Sequence, residues 1–463
     1  MIIRRLLLSM LACLLGFLLF FTLYSKMGTE IGTTFWVVFS VSCVLIILSA
    51  VLQFKLLPRS DSLIFPIVIL LNIIGLAQIN RIDYSEDRIW DDYTFAITSQ
   101  LVFSLVGLAL ALILCIAIRD HRKLRSYIYT SMFLGIIFLV LPLIPGLGLE
   151  TYGATVWIKL GPFSAQPAEF AKLFLILFFA GYLTINRERL QSAGKKVLGI
   201  SFPRLQDLGP IIVIWIVSLV VLIFQHDLGT SLLFFGLFIA ILYTATGKSS
   251  WAILGLLMFA AGASFVMNFF SHAQARLQIW QDPFNPEFYD RAYNGSRQVV
   301  QGFFALASGS LFGTGIGQGY PGLTPFSNSD FIYTSLGEEF GLTGLLAILV
   351  LYLLLIERCF SIALRTTDKF GKLIACGVGF SISIQIFVVI GGITGLIPIT
   401  GLTLPFISKG GSSLIANYCL IALLLIVSNG TRLKEETVVG IQNAPEPAIL
   451  VEDSTRQGLS HGK

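Results

Sequence analysis

The feature that most restricts this chain is a recurring apolar stretch about 20 residues long, because a helix of that length matches the roughly 30 Å hydrocarbon layer of a bilayer. About twelve such runs follow one another, near 4–24, 32–54, 62–79, 98–118, 126–144, 167–185, 209–224, 229–246, 251–270, 341–357, 373–395 and 410–428. Lipid offers backbone N–H and C=O groups no partners, so each run has to bond within itself as a helix. The alternating pattern of a membrane barrel is absent. Of 463 residues, 55% are hydrophobic and 12% charged, more apolar surface than a soluble domain can bury. The expected fold is all-α: a polytopic membrane bundle of about twelve helices with a large extracytoplasmic loop.

The first run, behind Arg4 and Arg5, is too long for a secretory signal core of about 7–15 residues and reads as a span. Basic residues then set the orientation. With the N-terminus inside, the clusters Arg119/Arg122/Lys123/Arg125, Arg187/Arg189/Lys195/Lys196 and Arg358/Arg365/Lys369/Lys372 all fall on the cytoplasmic side. The expectation is a multi-pass protein of the cytoplasmic (inner) membrane with both termini cytoplasmic. Cys13, Cys43, Cys115, Cys359, Cys376 and Cys419 lie in or at the ends of apolar runs without metal-ligand spacing, and read as small buried hydrophobes. Residues 1–60 read as an N-terminal helix pair, 61–430 as the core and 431–463 as a disordered polar tail.

Two outside connections stand out, from Pro145 to Phe163 and, longest of all, from 271 to 340. Within the long one, Ser296–Leu311 has the periodicity of an amphipathic helix at the membrane interface.

Ionisable residues at membrane depth are costly and are functional candidates by default. Pro167 can open a helix, which places Glu169 and Lys172 three apart on one face, either as a self-neutralising pair or as a lysine offered to phosphate. Trp157 just upstream suits the interface. Asp227 stands where it can cap the next span, or do more. The long loop carries Arg276, Asp282 before Pro283, and Asp290, with Gln298 opening the amphipathic helix. Its Ser308–Gly319 stretch is too glycine-dense for a helix and admits close backbone approach to a ligand, but lacks the Lys-Ser/Thr of a P-loop. Asp330, Glu338 and Glu339 stand at the entrance to the next span. Lys409 and Ser412 close the outside face before the last span. Nothing points to nucleic acid.

Taken in order, Gly-Ala-x-x-Trp with Gln-Pro-x-Glu-x-x-Lys, Asp-Leu-Gly-Thr, Gly-Ser-Leu-Phe-Gly-x-Gly, Ser-Asp-Phe-Ile with Gly-Glu-Glu-x-Gly, and Pro-Phe-Ile-Ser-x-Gly-Gly-Ser-Ser resemble the SEDS (shape, elongation, division and sporulation) family, from Leu63 to Asn429. The wording around 312–330 and 397–417 is nearer its RodA-like branch than FtsW. The resemblance implies a peptidoglycan glycosyltransferase acting on lipid II and the growing glycan chain beside membrane lipids, with a class B penicillin-binding protein as partner. It implies a catalytic aspartate in the long loop. Counted back from Arg297-Gln298, which stands where the family has Tyr-Gln, Asp290 falls near the family's spacing, and Asp282 is the second choice. Lys409 replaces a family tyrosine.

The implied reaction has the aspartate take a proton from an acceptor sugar hydroxyl while a pyrophosphate-linked lipid leaves, helped by Lys172, Arg276 and a divalent cation (magnesium or manganese), although no dedicated metal motif is present. The rival readings are a lipid II flippase and a non-catalytic scaffold. Against a flippase, acids and glycines concentrate on one face, whereas alternating access needs a site near the midplane.

Overall fold

The computed structural model describes the chain except for residues 1, 28–31, 52–54, 86–95, 152, 162, 192–195, 198–199, 202–212, 214–215, 218–219, 222–223, 292–294 and 443–463. The helices are α1 (Ile2–Met27), α2 (Gly32–Val51), α3 (Ile64–Asp83), α4 (Ala96–Ala117), α5 (Ile128–Val140), α6 (Pro167–Gln191), α7 (Leu228–Thr246), α8 (Ser249–Phe269), α9 (Ser271–Gln281), α10 (Pro286–Tyr289), α11 (Arg297–Gly309), α12 (Ile332–Arg365), α13 (Lys369–Ile393) and α14 (Gly411–Gln442). Among the described residues, nine helices are long and apolar enough to cross a bilayer, and Trp36–Ala50 and Ser249–Ser264 are shorter apolar helices. The expected span at 209–224 lies largely outside the described residues. So does the end of the tail expected from 431, although α14 runs on to Gln442.

Which helices sit inside follows from which are apolar on every face. The α14 residues from Leu414 to Val427 are buried all round, and α3 is buried along nearly its whole length. Around them, α4, α5, α8 and α12 turn side chains such as Ile113, Phe133, Leu256 and Leu353 outward. In lipid such an apolar exterior is the stable one. Helix α14 packs on α4 and α6, α13 on α7, α6 and α12, and α1 and α2 pack on α3 and α4. Gly107 admits the Tyr418 ring, which would lie 2.7 Å from an added Cβ.

Two connecting segments fold differently from expectation. The Pro145–Phe163 connection forms an antiparallel sheet of β1 (Gly148–Thr151), β2 (Ala154–Leu160) and β3 (Phe163–Ala165) in the order β1-β2-β3, with Trp157 opposite Leu149. The long loop ends at Phe331 rather than near 340, because the Gly-Glu-Glu segment already belongs to α12. That helix breaks at Gly341, with φ 67° and ψ −173°. Only glycine takes this conformation readily, and an added Cβ would come within 2.2 Å of the Gly313 nitrogen.

Candidate functional site

At the loop-bearing end of the bundle, three charged residues from distant parts of the chain come together. Asp227 does cap α7, its Oδ1 accepting the Thr230 N–H at 2.9 Å, after a tight turn with His226 at φ 59°. Its other oxygen is buried and meets no hydrogen-bond donor among the described residues. Burial pushes the Asp227 carboxyl above its ordinary range, the Arg276 charge holds it back, and Glu169 adds to the rise. Asp330 is pushed up to about 7 by burial, with Arg276 opposing and Asp227 reinforcing the shift. Both carboxyls therefore lie within electrostatic reach of one guanidinium.

Arg276 is held there by its own helix. Its Nη1 donates to the Ile399 carbonyl at 3.1 Å, and Trp280 Nε1, one turn further along α9, donates to the Gly395 carbonyl at 2.8 Å. Helix α9 is thus strapped across the α13–α14 connection. Beneath it lies a cavity of about 210 Å³ whose walls include Arg276, Trp280, Pro283, Phe303 and Thr394. A second, larger space of about 570 Å³ is lined by Leu232, Phe235, Met258, Phe259 and Phe387 of α7, α8 and α13 and shares Arg276 and Trp280 with the first. An apolar groove therefore leads to a cation beside two carboxyls.

The expected Glu169–Lys172 pair forms, at 2.9 Å. Lys172 is almost fully buried, and its Nζ also donates to Gln385 Oε1 at 3.0 Å and Asn417 Oδ1 at 3.3 Å, so three acceptors match its three hydrogens. The pair thereby ties α6 to α13 and α14. Gln385 in turn donates to the Thr403 carbonyl at 2.9 Å, and Ser412 Oγ accepts the Gln166 N–H at 2.9 Å. Both bonds carry the network up to the 401–413 segment. Sequence reasoning passed over Gln385 and Asn417, although polar side chains inside apolar runs are the available signal.

The glycine-rich stretch packs against the start of α12. Thr314 and Gly315 donate their N–H groups to the Glu338 and Glu339 carbonyls, at 2.9 and 3.1 Å, and Gly317 N–H reaches Glu339 Oε2 at 3.1 Å. Glu338 Oε1 accepts the Tyr320 N–H at 3.0 Å. Arg81, an unforeseen member, donates Nε to Glu339 Oε1 at 3.1 Å and Nη2 to the Gly319 carbonyl at 2.8 Å. Both members of this ion pair are buried. Arg81→Ala is expected to cost about 3–5 kcal/mol, because it strands a buried carboxylate. Thermal denaturation in detergent checks this, and an unchanged midpoint would show the pair to be dispensable.

The remaining expected residues are dispersed. Asp282 is exposed at the C-terminal end of α9, next to the cavity-lining Pro283. Asp290 is exposed at the end of the four-residue α10, whose Tyr289 hydroxyl accepts from Gln301 of α11. Neither it nor its helix lines the two spaces. Gln298 donates to the Pro325 carbonyl at 3.4 Å. Trp157 is half-buried in β2, and the Lys409 backbone N–H donates to the Asn328 carbonyl at 2.9 Å. Among the described residues no three of His, Cys, Asp and Glu gather as metal ligands.

The raised Asp330 carboxyl predicts a pH effect. Its folded value, about 7, lies above the ordinary 3.8, so the folded state holds the extra proton between the two. Stability from this group is therefore present at low pH and lost as pH rises from about 4 to about 7. His272, lowered to about 4 by burial with Arg276 and His226 reinforcing, acts in the opposite sense. Asp330→Asn should thus gain in melting temperature relative to the unsubstituted chain as pH rises across that window. A constant difference would contradict the assignment.

Comparison with known proteins identifies the family. The chain is 43% identical over 376 residues to the peptidoglycan glycosyltransferase RodA of Mycobacterium leprae, covering 81% of this chain and 79% of that one. It is 32% identical over 395 residues to a probable peptidoglycan glycosyltransferase FtsW of Geobacter metallireducens, covering 83% and 98%. The greater identity to RodA agrees with the branch expected from sequence. A chain of a peptidoglycan synthase complex, solved for how it coordinates polymerization and crosslinking, superposes with a TM-score of 0.62 at 25% identity, covering 80% of this chain and 98% of that one. The family model of the FtsW, RodA and SpoVE cell-cycle proteins matches residues 61–433, and the chain is a multi-pass membrane protein belonging to that family.

Proposed function

We propose that this protein is a RodA-like peptidoglycan glycosyltransferase that polymerises lipid II into glycan strands at the outer face of the cytoplasmic membrane. The observation that carries the reading is the junction at Arg276, where an apolar groove, a cation and acidic groups meet. A substrate with a polyprenyl tail, a pyrophosphate and a sugar has those three needs in that order. The tail takes the α7–α8 groove, and the guanidinium faces the phosphates, which it can grip with two parallel N–H bonds.

In the reaction, an aspartate carboxylate takes the proton of the acceptor's sugar 4-hydroxyl. That oxygen forms a bond to C1 of the growing chain's muramic residue while the C1–O bond to pyrophosphate breaks, inverting C1. Negative charge collects on the leaving pyrophosphate, where Arg276 opposes it. Of the two loop aspartates we take Asp282 as the base, because it ends the helix that carries Arg276 and precedes the cavity-lining Pro283. Lys172, its hydrogens already engaged, acts by holding α6, α13 and α14 in register. By the positive-inside rule the basic clusters support an orientation with both termini in the cytoplasm. A class B penicillin-binding protein supplies crosslinking, in keeping with the synthase complex that the chain resembles.

A lipid II analogue with a photoreactive group near its pyrophosphate tests the site. Labelling is expected in α7–α9, and labelling confined to α1 and α2 would contradict the placement.

A further inference from the structure

The opposite end of the bundle holds a second, unrelated site. Between the turn at His121–Tyr127, the end of α6 and the start of α13 lies a cavity of about 550 Å³ lined by Arg122, Arg125, Thr184, Thr367, Asp368 and Lys369. Three cations and one acid thus surround one space. The acid is already engaged, since Asp368 Oδ2 accepts the Gly371 N–H at 2.9 Å and faces His121 Nε2 at 3.1 Å. The neighbouring Asp120 is likewise occupied, its Oδ1 accepting the Arg122 N–H at 3.0 Å. Among the described residues, no carboxylate lies within ion-pair distance of Arg122, Arg125 or Lys369. Further cation lies one turn beyond Thr184, where the buried Nε of Arg187 meets no acceptor among the described residues.

Orientation in the membrane accounts for basic residues at this end, but not for three of them converging on one cavity. Tyr127 and Tyr129, 59% and 65% exposed, flank it and mark the level where a bilayer's polar headgroups lie. The first turn of α13 adds the positive end of its dipole. Basic pockets between helices at this depth suit phosphate-bearing headgroups.

We propose that the Arg122–Arg125–Lys369 cavity binds a phosphate anion, presented either by an acidic phospholipid of the leaflet opposite the long loop or by a soluble phosphate. Its residues do not touch the Arg276 junction, so the site stands or falls apart from the glycosyl-transfer reading.

Native mass spectrometry of the full-length protein in neutral detergent tests this, with phosphatidylglycerol or phosphatidylcholine added. Phosphatidylglycerol is expected to bind in preference to phosphatidylcholine, and Arg122→Ala/Arg125→Ala/Lys369→Ala should weaken its retention by at least roughly tenfold. The charge-keeping Arg122→Lys/Arg125→Lys variant should retain most of it, which separates lost charge from misfolding. A Lys55→Ala/Lys248→Ala control removes cations elsewhere and should bind as the unsubstituted protein does. Inorganic phosphate is then titrated against the bound lipid. Displacement shows that the site also takes soluble phosphate, and retention at millimolar phosphate shows that it is a lipid site. Equal retention of both lipids, or undiminished phosphatidylglycerol binding by the triple variant, would overturn the proposal.

Discussion

Arg276→Ala is expected to lower the turnover of lipid II polymerisation by roughly 10²–10³-fold, the usual range for removing one group that opposes charge developing in a transition state. Two physical effects combine. The leaving pyrophosphate loses the guanidinium at the end of the apolar groove. The same charge holds down the carboxyls of Asp227 and Asp330, so its loss lets burial push both further up. Any limb of the pH–rate profile set by Asp330 should then move upward from about 7. Arg276→Lys keeps a charge but not the planar fork, and should fall between the two. Turnover by Arg276→Ala within a few-fold of the unsubstituted enzyme would remove the junction from the mechanism.

The second large effect separates the two loop aspartates. Asp282→Ala should cost about 10²–10⁴-fold in turnover, the contribution of a positioned general base, while Asp290→Ala should retain activity within a few-fold. The distinction comes from placement. Asp282 caps the C-terminal end of the helix that carries Arg276 and precedes the cavity-lining Pro283. Asp290 ends a short turn whose tyrosine is tied to α11 instead. Loss of polymer with Asp290→Ala alone would show that spacing counted along the chain was the better guide.

Where sequence and structure agree, the determinant is local. Asp227 just before an apolar run is a cap, and Glu169 and Lys172 three apart on a helix are a pair, whatever surrounds them. The amphipathic α11 follows from its own periodicity. What escaped depends on partners far along the chain. Glycine density around 308–319 told of close backbone approach, read as room for a ligand, but not that the Glu338 and Glu339 backbone would come there. The role of Arg81 escaped because its acceptor lies 258 residues away. The helix holding Glu338 and Glu339 was hidden by its break at Gly341, which interrupts the apolar run without ending the helix. The small sheet escaped because residues 156–160, Val-Trp-Ile-Lys-Leu, hold a single polar residue and show no clean alternation of period two. Trp280 went unremarked because the carbonyl that receives its indole N–H and fastens α9 across the cavity lies 115 residues away.

The most direct test of the account is to supply the purified protein, with its cognate class B penicillin-binding protein in detergent, with labelled lipid II and to separate the products by length. The account predicts a ladder of glycan strands whose formation depends on Arg276. If no polymer forms while the same protein in vesicles carries lipid II from one leaflet to the other, the groove belongs to a flippase and the glycosyl-transfer reading fails.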